Sequence, residues 1–286
     1  MPADVRADGR AEKRRRRWRL AGRYLLLTML AVVVLFPIYI AVVNSLLRPD
    51  QIAARPPKLF PTDPQWSSYR IAWNQGHMGR YLLNSAIVTT VIMVSQVTLA
   101  ILAAYAFAFL QFPGRNLLFV VFLATMMVPF EVVFFTNYQT VANLGLLNSY
   151  AGLTLPFLAT GFGAFLLRQS FLTFPRDLQD AAALDGYGHW RFLWKVVVPL
   201  SRPTVAALGV FAFLSAWGQY LWPLIATSDA RARTVQVGLR QLRNTSIQDY
   251  NVTFAGVVLA SIPLVILLLV FQRQLVRGLT AGAVKG

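Results

Sequence analysis

The 286-residue chain has no cysteine, so disulfides and thiolate-bound metals are excluded and the redox compartment leaves no mark on it. It has two histidines, His77 and His189, far apart in sequence, which gives metal binding no support. His189 reads as a surface residue of a polar insert. Charge is scarce: 13% of residues are Asp, Glu, Lys or Arg, against roughly a quarter in a usual soluble domain. Catalytic patterns are missing as well. The phosphate-cradling G-x-x-x-x-G-K-[ST] does not occur, and none of Lys13, Lys58, Lys195 and Lys285 follows a glycine. An intramembrane protease needs a nucleophile–base pair or paired aspartates inside apolar segments. No Asp or His lies in any such segment here. The chain is therefore expected not to be an enzyme, with no cofactor of its own.

What the chain has is apolar length. It is 56% hydrophobic, with a mean hydropathy of +0.53. Tyr24–Leu47, Tyr81–Gly114, Thr204–Ser228 and Tyr250–Gln272 carry no charge, and Glu131 is the only acid between Asn116 and Leu167. A membrane-spanning helix needs about 20 apolar residues. The expected fold class is all-α: a polytopic membrane protein with six transmembrane helices, near residues 21–45, 82–110, 115–137, 149–171, 203–226 and 252–276. Pro37, Pro129, Gly161, Gly163, Pro223 and Pro263 fall inside these spans. They are expected to be tolerated where neighbouring helices satisfy the freed backbone groups. The least marked boundary lies between spans three and four, where "TNYQTVANLGLLNSY" is polar but uncharged.

The net charge of +16 suggests nucleic acid, but its distribution points to lipid. "KRRRRWRLAGR" ends directly before the first apolar run, as basic residues do at the cytoplasmic end of a span. That run has 24 residues, too long for a signal-peptide core. With the N-terminus inside, 18 Lys and Arg lie in the cytoplasm and 9 outside. The expected division is a basic cytoplasmic tail at 1–20, a first span at 21–45, an external loop at 46–80, a core at 81–277 and a cytoplasmic tail at 278–286. The core contains a cytoplasmic insert at 174–202 and a second external loop at 226–251. Prolines in "RPPKLFPTDPQWSSY" oppose a long helix in the first external loop. Each external loop reads equally as a connector or as a docking surface.

Polar groups within or near the spans are Asn44, Asn84, Ser95, Gln96, Glu131, Asn137, Gln139, Gln219 and Tyr220. Glu131, Asn137, Gln219 and Tyr220 are the candidate substrate pathway, because ionisable and polar side chains in a bilayer usually face the bundle interior or a wet cavity. Glu131 also reads as an interfacial residue or an interhelical hydrogen bond. In "WGQYLWPL" the tryptophans serve either as interface anchors or as stacking surfaces for a polyol.

The insert "DAAALDGYGHWRFLWKVVVPLSRP" runs from Asp180 to Pro203. Pro175 suits a helix start, Asp177 its first turn, and Gly186 its C′ position. Trp190, Leu193, Trp194 and Val197 form an i, i+3, i+4, i+7 stripe, and Pro199 is expected to end the second helix. Two short helices meeting at a glycine bend result. Taken alone, they also suit an amphipathic loop resting on headgroups.

The stretch resembles the EAA loop of ABC-importer permease subunits, roughly E-A-A-x-x-D-G-A followed after nine to eleven residues by proline. Asp180, Ala181, Ala182, Asp185, Gly186 and Pro199 match in order and spacing, with Asp180 for the usual Glu, Tyr187 for Ala, and Leu193 where Phe is frequent. "NSYAGLTLP", "FLLRQSF", "QYLWPL" and "FQRQLVRGL" are similar to carbohydrate-importer permeases of the maltose type, above all to the second permease subunit of glycerol-3-phosphate importers. Trehalose and other oligosaccharide importers share much of the pattern. The resemblance implies coupling helices that seat in a cleft on a cytoplasmic ATPase, with Asp180, Ala181, Ala182, Asp185, Gly186, Trp190 and Pro199 as the coupling residues. It implies that Trp190 and Trp194 pack on the ends of the spans, while Asp180 and Asp185 pair with basic groups of the ATPase. The implied partners are a homologous second permease, an ATPase dimer that carries ATP and magnesium, and an external solute-binding protein. The implied location is a bacterial inner membrane, with both termini cytoplasmic and a sugar or glycerol-3-phosphate-like cargo. The rival class is a stand-alone channel or secondary transporter, which needs neither the ATPase nor the insert.

Overall fold

The computed structural model describes residues 4–245 and 250–280, with side chains described for 17–242 and 250–272. Positions 1–3 and 281–286 of the two tails, and 246–249 of the second external loop, lie outside the described residues. All regular structure among the described residues is helical. In chain order the helices are α1 (Asp4–Leu46), α2 (Pro49–Ile52), α3 (Ser67–Asn74), α4 (Met78–Phe109), α5 (Arg115–Ala124), α6 (Phe130–Asn143), α7 (Tyr150–Thr154) and α8 (Gly161–Phe171). They continue with α9 (Arg176–Leu184), α10 (His189–Phe192), α11 (Val198–Leu200), α12 (Arg202–Trp217), α13 (Leu221–Ala226), α14 (Val235–Thr245) and α15 (Tyr250–Thr280).

Among the described residues three helices are long and apolar enough to cross a membrane: Arg17–Leu46 of α1, α4, and Tyr250–Gln272 of α15. The basic tail expected before the first span belongs to the same helix from Asp4 onward. The other expected spans are broken. The segment 115–137 turns by 91° between α5 with its 3-10 extension and α6. Pro129 is the cause. It has no N–H to continue the ladder, and it drives Val128 to extended backbone (φ −80°, ψ 113°). Between α7 and α8 the bend is 48°. A third bend, 80° at Ser201, separates the end of the insert from α12. The expected span 203–226 is also interrupted, at Gly218–Tyr220 between α12 and α13.

Neighbours meet backbone groups freed at the α7–α8 break. Gln96 of α4 donates to the Phe157 carbonyl (2.8 Å) at the α7–α8 bend. Trp222 of α13 donates to the Gly152 carbonyl (3.1 Å). In hydrocarbon an unpaired backbone group is costly, so a broken span needs such donors. Gly163 shows how tightly α8 is seated: a Cβ there would lie 3.0 Å from the Ala100 Cβ and 3.2 Å from Leu208. Small residues at such seams let backbones approach where there is no hydrophobic drive between helices.

Three buried clusters follow. One joins α4, α8, α12 and the insert; one joins α3, α4, α12, α14 and α15; the third joins α4, the α6–α7 region, α12 and α13. The segment 46–80, expected as the first external loop, forms only the short α2 and α3, in keeping with its prolines. It is tied to α1 by Ser68 Oγ, which donates to the Ser45 carbonyl (2.6 Å).

Candidate functional site

The insert begins at α9, for which Pro175 is the N-cap and Asp177 the first-turn acid. Its end is a Schellman turn. The Gly186 N–H donates to the Ala183 carbonyl (3.0 Å) and the Tyr187 N–H to the Ala182 carbonyl (2.8 Å). The second bond needs Gly186 in the left-handed region, where its φ is +74°. Ala182 is buried, while Ala181, Ala183, Asp180 and Asp185 are exposed. The acids form neither of the two ion pairs found among the described residues.

The second half departs from the expected stripe. α10 runs into a π-helical turn at Leu193–Val197 and then into α11. The wider turn resets the register, so Phe192, Leu193 and Val197 face the core. Trp190 and Trp194 do not pack against the spans: they are 66% and 38% exposed and meet edge to face at 5.8 Å. Pro199 does not end the helix. It lies inside α11, and the break falls at Ser201.

Aromatic contacts attach the insert to the spans. Phe192 lies 5.4 Å from Phe109 and 6.4 Å from Tyr105 of α4, and Phe109 lies 6.2 Å from Phe171 of α8. Tyr105 Oη and His189 Nδ1 share a hydrogen bond of 2.9 Å. Aromatic pairs in these geometries contribute about 0.5–1.5 kcal/mol beyond burial. The insert is thus held as one body with the ends of α4, α8 and α12. Its outward face carries Leu184 (90% exposed), Trp190 and Asp180. Beside it opens a cleft of about 890 Å³ whose polar lining includes Gln111, Arg115, Arg176, Gln179, Asp180 and His189. Sequence reading missed Tyr105, Phe109, Phe171 and Phe192. The one available signal was a tyrosine within the otherwise apolar end of α4.

The candidate pathway residues fall in two places. Glu131 is exposed in the first turn of α6, just after the Pro129 break, and Asn137 is half-buried farther along the same helix. Gln219 and Tyr220 form the break between α12 and α13. No hydrogen bond links the two pairs among the described residues. Gln219 Oε1 is buried without a partner, and the Tyr220 hydroxyl accepts from Arg240 Nη1 (2.8 Å). The tryptophans of "WGQYLWPL" are neither interface anchors nor open stacking surfaces. Trp217 and Trp222 are 3% and 2% exposed, and each donates to a backbone carbonyl of another helix.

The end of the bundle opposite the insert is tightly pinned. Buried Asn84 donates to the Arg231 and Arg233 carbonyls (2.9 and 2.8 Å) and accepts from the Tyr150 hydroxyl (2.7 Å). Ser85 Oγ accepts from the Val235 N–H (2.8 Å) at the start of α14. Asp229 is held below the usual carboxylate range, first by the Arg231 backbone N–H (2.8 Å), which burial partly opposes, then by the charge and guanidinium of Arg231 (2.9 Å) and the more distant Arg80.

Residues 96–281 match the family described as binding-protein-dependent transport system inner membrane component. The chain is 40% identical to the sn-glycerol-3-phosphate transport system permease protein UgpE of Yersinia pestis over 264 residues, covering 90% of this chain and 94% of the relative. It is 37% identical to the protein of the same name from Brucella abortus over 265 residues, with the same coverage. Its fold is similar to a chain of a bacterial ABC transporter involved in the import of the acidic polysaccharide alginate, with a TM-score of 0.78 and 23% identity over 90% of this chain and 96% of that one. The chain belongs to the binding-protein-dependent transport system inner membrane components, the permease subunits of ABC importers.

Proposed function

We propose that the chain is the second permease of an importer for glycerol 3-phosphate or a related sugar or polyol phosphate, and that residues 174–202 couple it to a separate ATPase. The observation that carries this reading is the insert itself. It is bound to two spans, α4 and α8, by the Tyr105–Phe109–Phe171–Phe192 contacts, yet presents Leu184, Trp190 and Asp180 outward. A loop resting on headgroups has no need of so firm an attachment to the bundle. A coupling element needs both the attachment and the free face. Asp180 and Asp185 are placed to meet basic groups on the ATPase, and Gly186 fixes the angle between the two short helices.

The rest of the proposal follows from this. The two bent pairs at 115–143 and 150–171 each complete one span, and α12 with α13 completes another, which with α1, α4 and α15 gives six. The N-terminal tail, the insert and the C-terminal tail face the cytoplasm, in line with the excess of Lys and Arg on that side. The partners are a homologous permease, two ATPase copies that bind ATP and magnesium, an external solute-binding protein and membrane lipid. Glu131, Asn137, Gln219 and Tyr220 border the cargo's route. The cargo in the names of the relatives at 40% and 37% identity supports glycerol 3-phosphate over a disaccharide such as trehalose.

The test is capture of the ATPase by this chain in the co-expressed complex. Asp180→Lys and Leu184→Glu are expected to reach the membrane at normal levels but to retain little ATPase and little transport. Normal capture and transport by both variants returns the insert to the headgroup reading. Purified alone, the chain is expected to hydrolyse no ATP.

A further inference from the structure

Among the described residues, two arginines at the end of the bundle away from the insert have no carboxylate partner. Among the described residues the ion pairs are Arg48–Asp50 (3.5 Å) and Arg231–Asp229 (2.9 Å). Arg233 and Arg240 belong to neither. Arg233 Nη2 donates to the Ser228 carbonyl (2.7 Å), and Arg240 Nη1 to the Tyr220 hydroxyl (2.8 Å). A guanidinium has five donors, so each keeps most of its capacity for water or a ligand. Both line one cavity of about 300 Å³ with Leu224, Thr227, Val237 and Gln241.

The walls of this cavity are preorganised. Asn84 fixes the carbonyls of Arg231 and Arg233, and Ser85 fixes the start of α14. A Cβ on Gly238 would strike the Tyr81 ring, so α14 cannot approach α4 more closely. Arg240 connects the cavity to Tyr220 in the α12–α13 break, beside the unpartnered Gln219 Oε1. Broken helices at such positions supply polar groups to solutes crossing a membrane. The Tyr220 hydroxyl accepts from Arg240 and retains its own proton to donate. Two guanidiniums with only neutral acceptors, held rigidly around a cavity, are matched to a tetrahedral oxyanion, which takes paired N–H donors.

We propose that Arg233 and Arg240 form an external reception site for the phosphate group of the cargo, and that Tyr220 and Gln219 receive its hydroxyl-bearing part at the helix break. This rests on the import reading above and assigns it a substrate-recognising site on this subunit. Arg231 is excluded from the site because Asp229 already neutralises it.

The experiment uses the whole complex, with its binding protein, in vesicles, and follows uptake of labelled sn-glycerol 3-phosphate. Arg233→Gln with Arg240→Gln is expected to lower uptake about tenfold or more, the loss of at least one charge-assisted hydrogen bond, with partial rescue by the double Lys variant. Arg231→Gln is the control and is expected to transport as the unaltered chain does. The loaded binding protein is expected to be captured equally by all of these complexes. Equal uptake by the double Gln variant and the unaltered complex overturns the site. Loss of binding-protein capture in step with uptake also overturns it, because the arginines then dock an acidic protein surface. A defect present in vesicles containing phosphatidylglycerol but absent in pure phosphatidylcholine overturns it in favour of a lipid headgroup. Absence of ATP-dependent uptake by the unaltered complex defeats the import reading instead, so the two failures are distinguishable.

Discussion

Replacement of Gly186 by valine isolates the angle between the two halves of the insert. At φ +74° an L-residue is strained, and a β-branched one more than others. An added Cβ would meet nothing within 4 Å, so the effect is conformational and not a clash with neighbours. The left-handed region costs an ordinary L-residue about 1–2 kcal/mol, a factor of roughly 5 to 30 in the population of the native bend. Valine lies at or above the top of that range. The escape route is a change of φ, which carries the Tyr187 N–H away from the Ala182 carbonyl and breaks that 2.8 Å bond. Tyr187 then leaves the cluster formed by Ala182 and Phe192, and α9 swings relative to α10. The expected order of damage is Asn, then Ala, then Val, since Asn tolerates the left-handed region. Gly188→Ala is the internal control, because Gly188 has φ −74° and equally open surroundings. The assay is ATPase retained per permease during purification, beside transport and membrane level. If Gly186→Val retains the ATPase as well as Gly188→Ala does, the bend does not set the coupling geometry.

Ala182→Leu is expected to destabilise the insert by about 1–3 kcal/mol through overpacking, whereas Ala181→Leu and Ala183→Leu at exposed sites change little; thermal release of the ATPase from the solubilised complex measures this. Asn84→Leu removes three hydrogen bonds and strands buried partners, each worth about 1–3 kcal/mol, so proteolysis of the 226–245 segment from the external side should accelerate. Asp229 has a depressed pKa, so its contribution to that segment is complete above the unfolded value of about 3.9 and fades as pH falls through the lower folded value. Protection from acid-active protease should therefore weaken only below that range, and Asp229→Asn should show a flat, lower profile.

The apolar segments were legible because lipid imposes one simple demand, an absence of charge, which the runs at 24–47, 81–114 and 250–272 meet. Their breaks were not legible from residue type. Pro37 and Pro263 sit inside continuous helices, while Pro129 accompanies a 91° turn. Nor does residue type show how a break is satisfied: the Phe157 carbonyl at the α7–α8 bend is met by Gln96 from 61 residues away. Gly186 could be read locally, since a helix C′ position calls for positive φ. The Trp190–Trp194 face could not, because the π turn at Leu193–Val197 alters the period on which the stripe was counted. The Tyr105–His189 bond joins residues 84 apart and has no sequence signature. Arg233 and Arg240 were visible only as part of an excess of basic residues; that neither is in an ion pair among the described residues is read only from the folded chain.

The central claim is that the insert's outward face touches an ATPase. The chain has no cysteine, so single cysteines at Leu184 and Trp190 can be placed on a silent background. Crosslinking in native membranes that contain the whole complex is the direct measurement. The account predicts adducts between both positions and the ATPase chain, with yields that change when ATP is added. Adducts to lipid probes alone at both positions, in membranes where transport persists, contradict it.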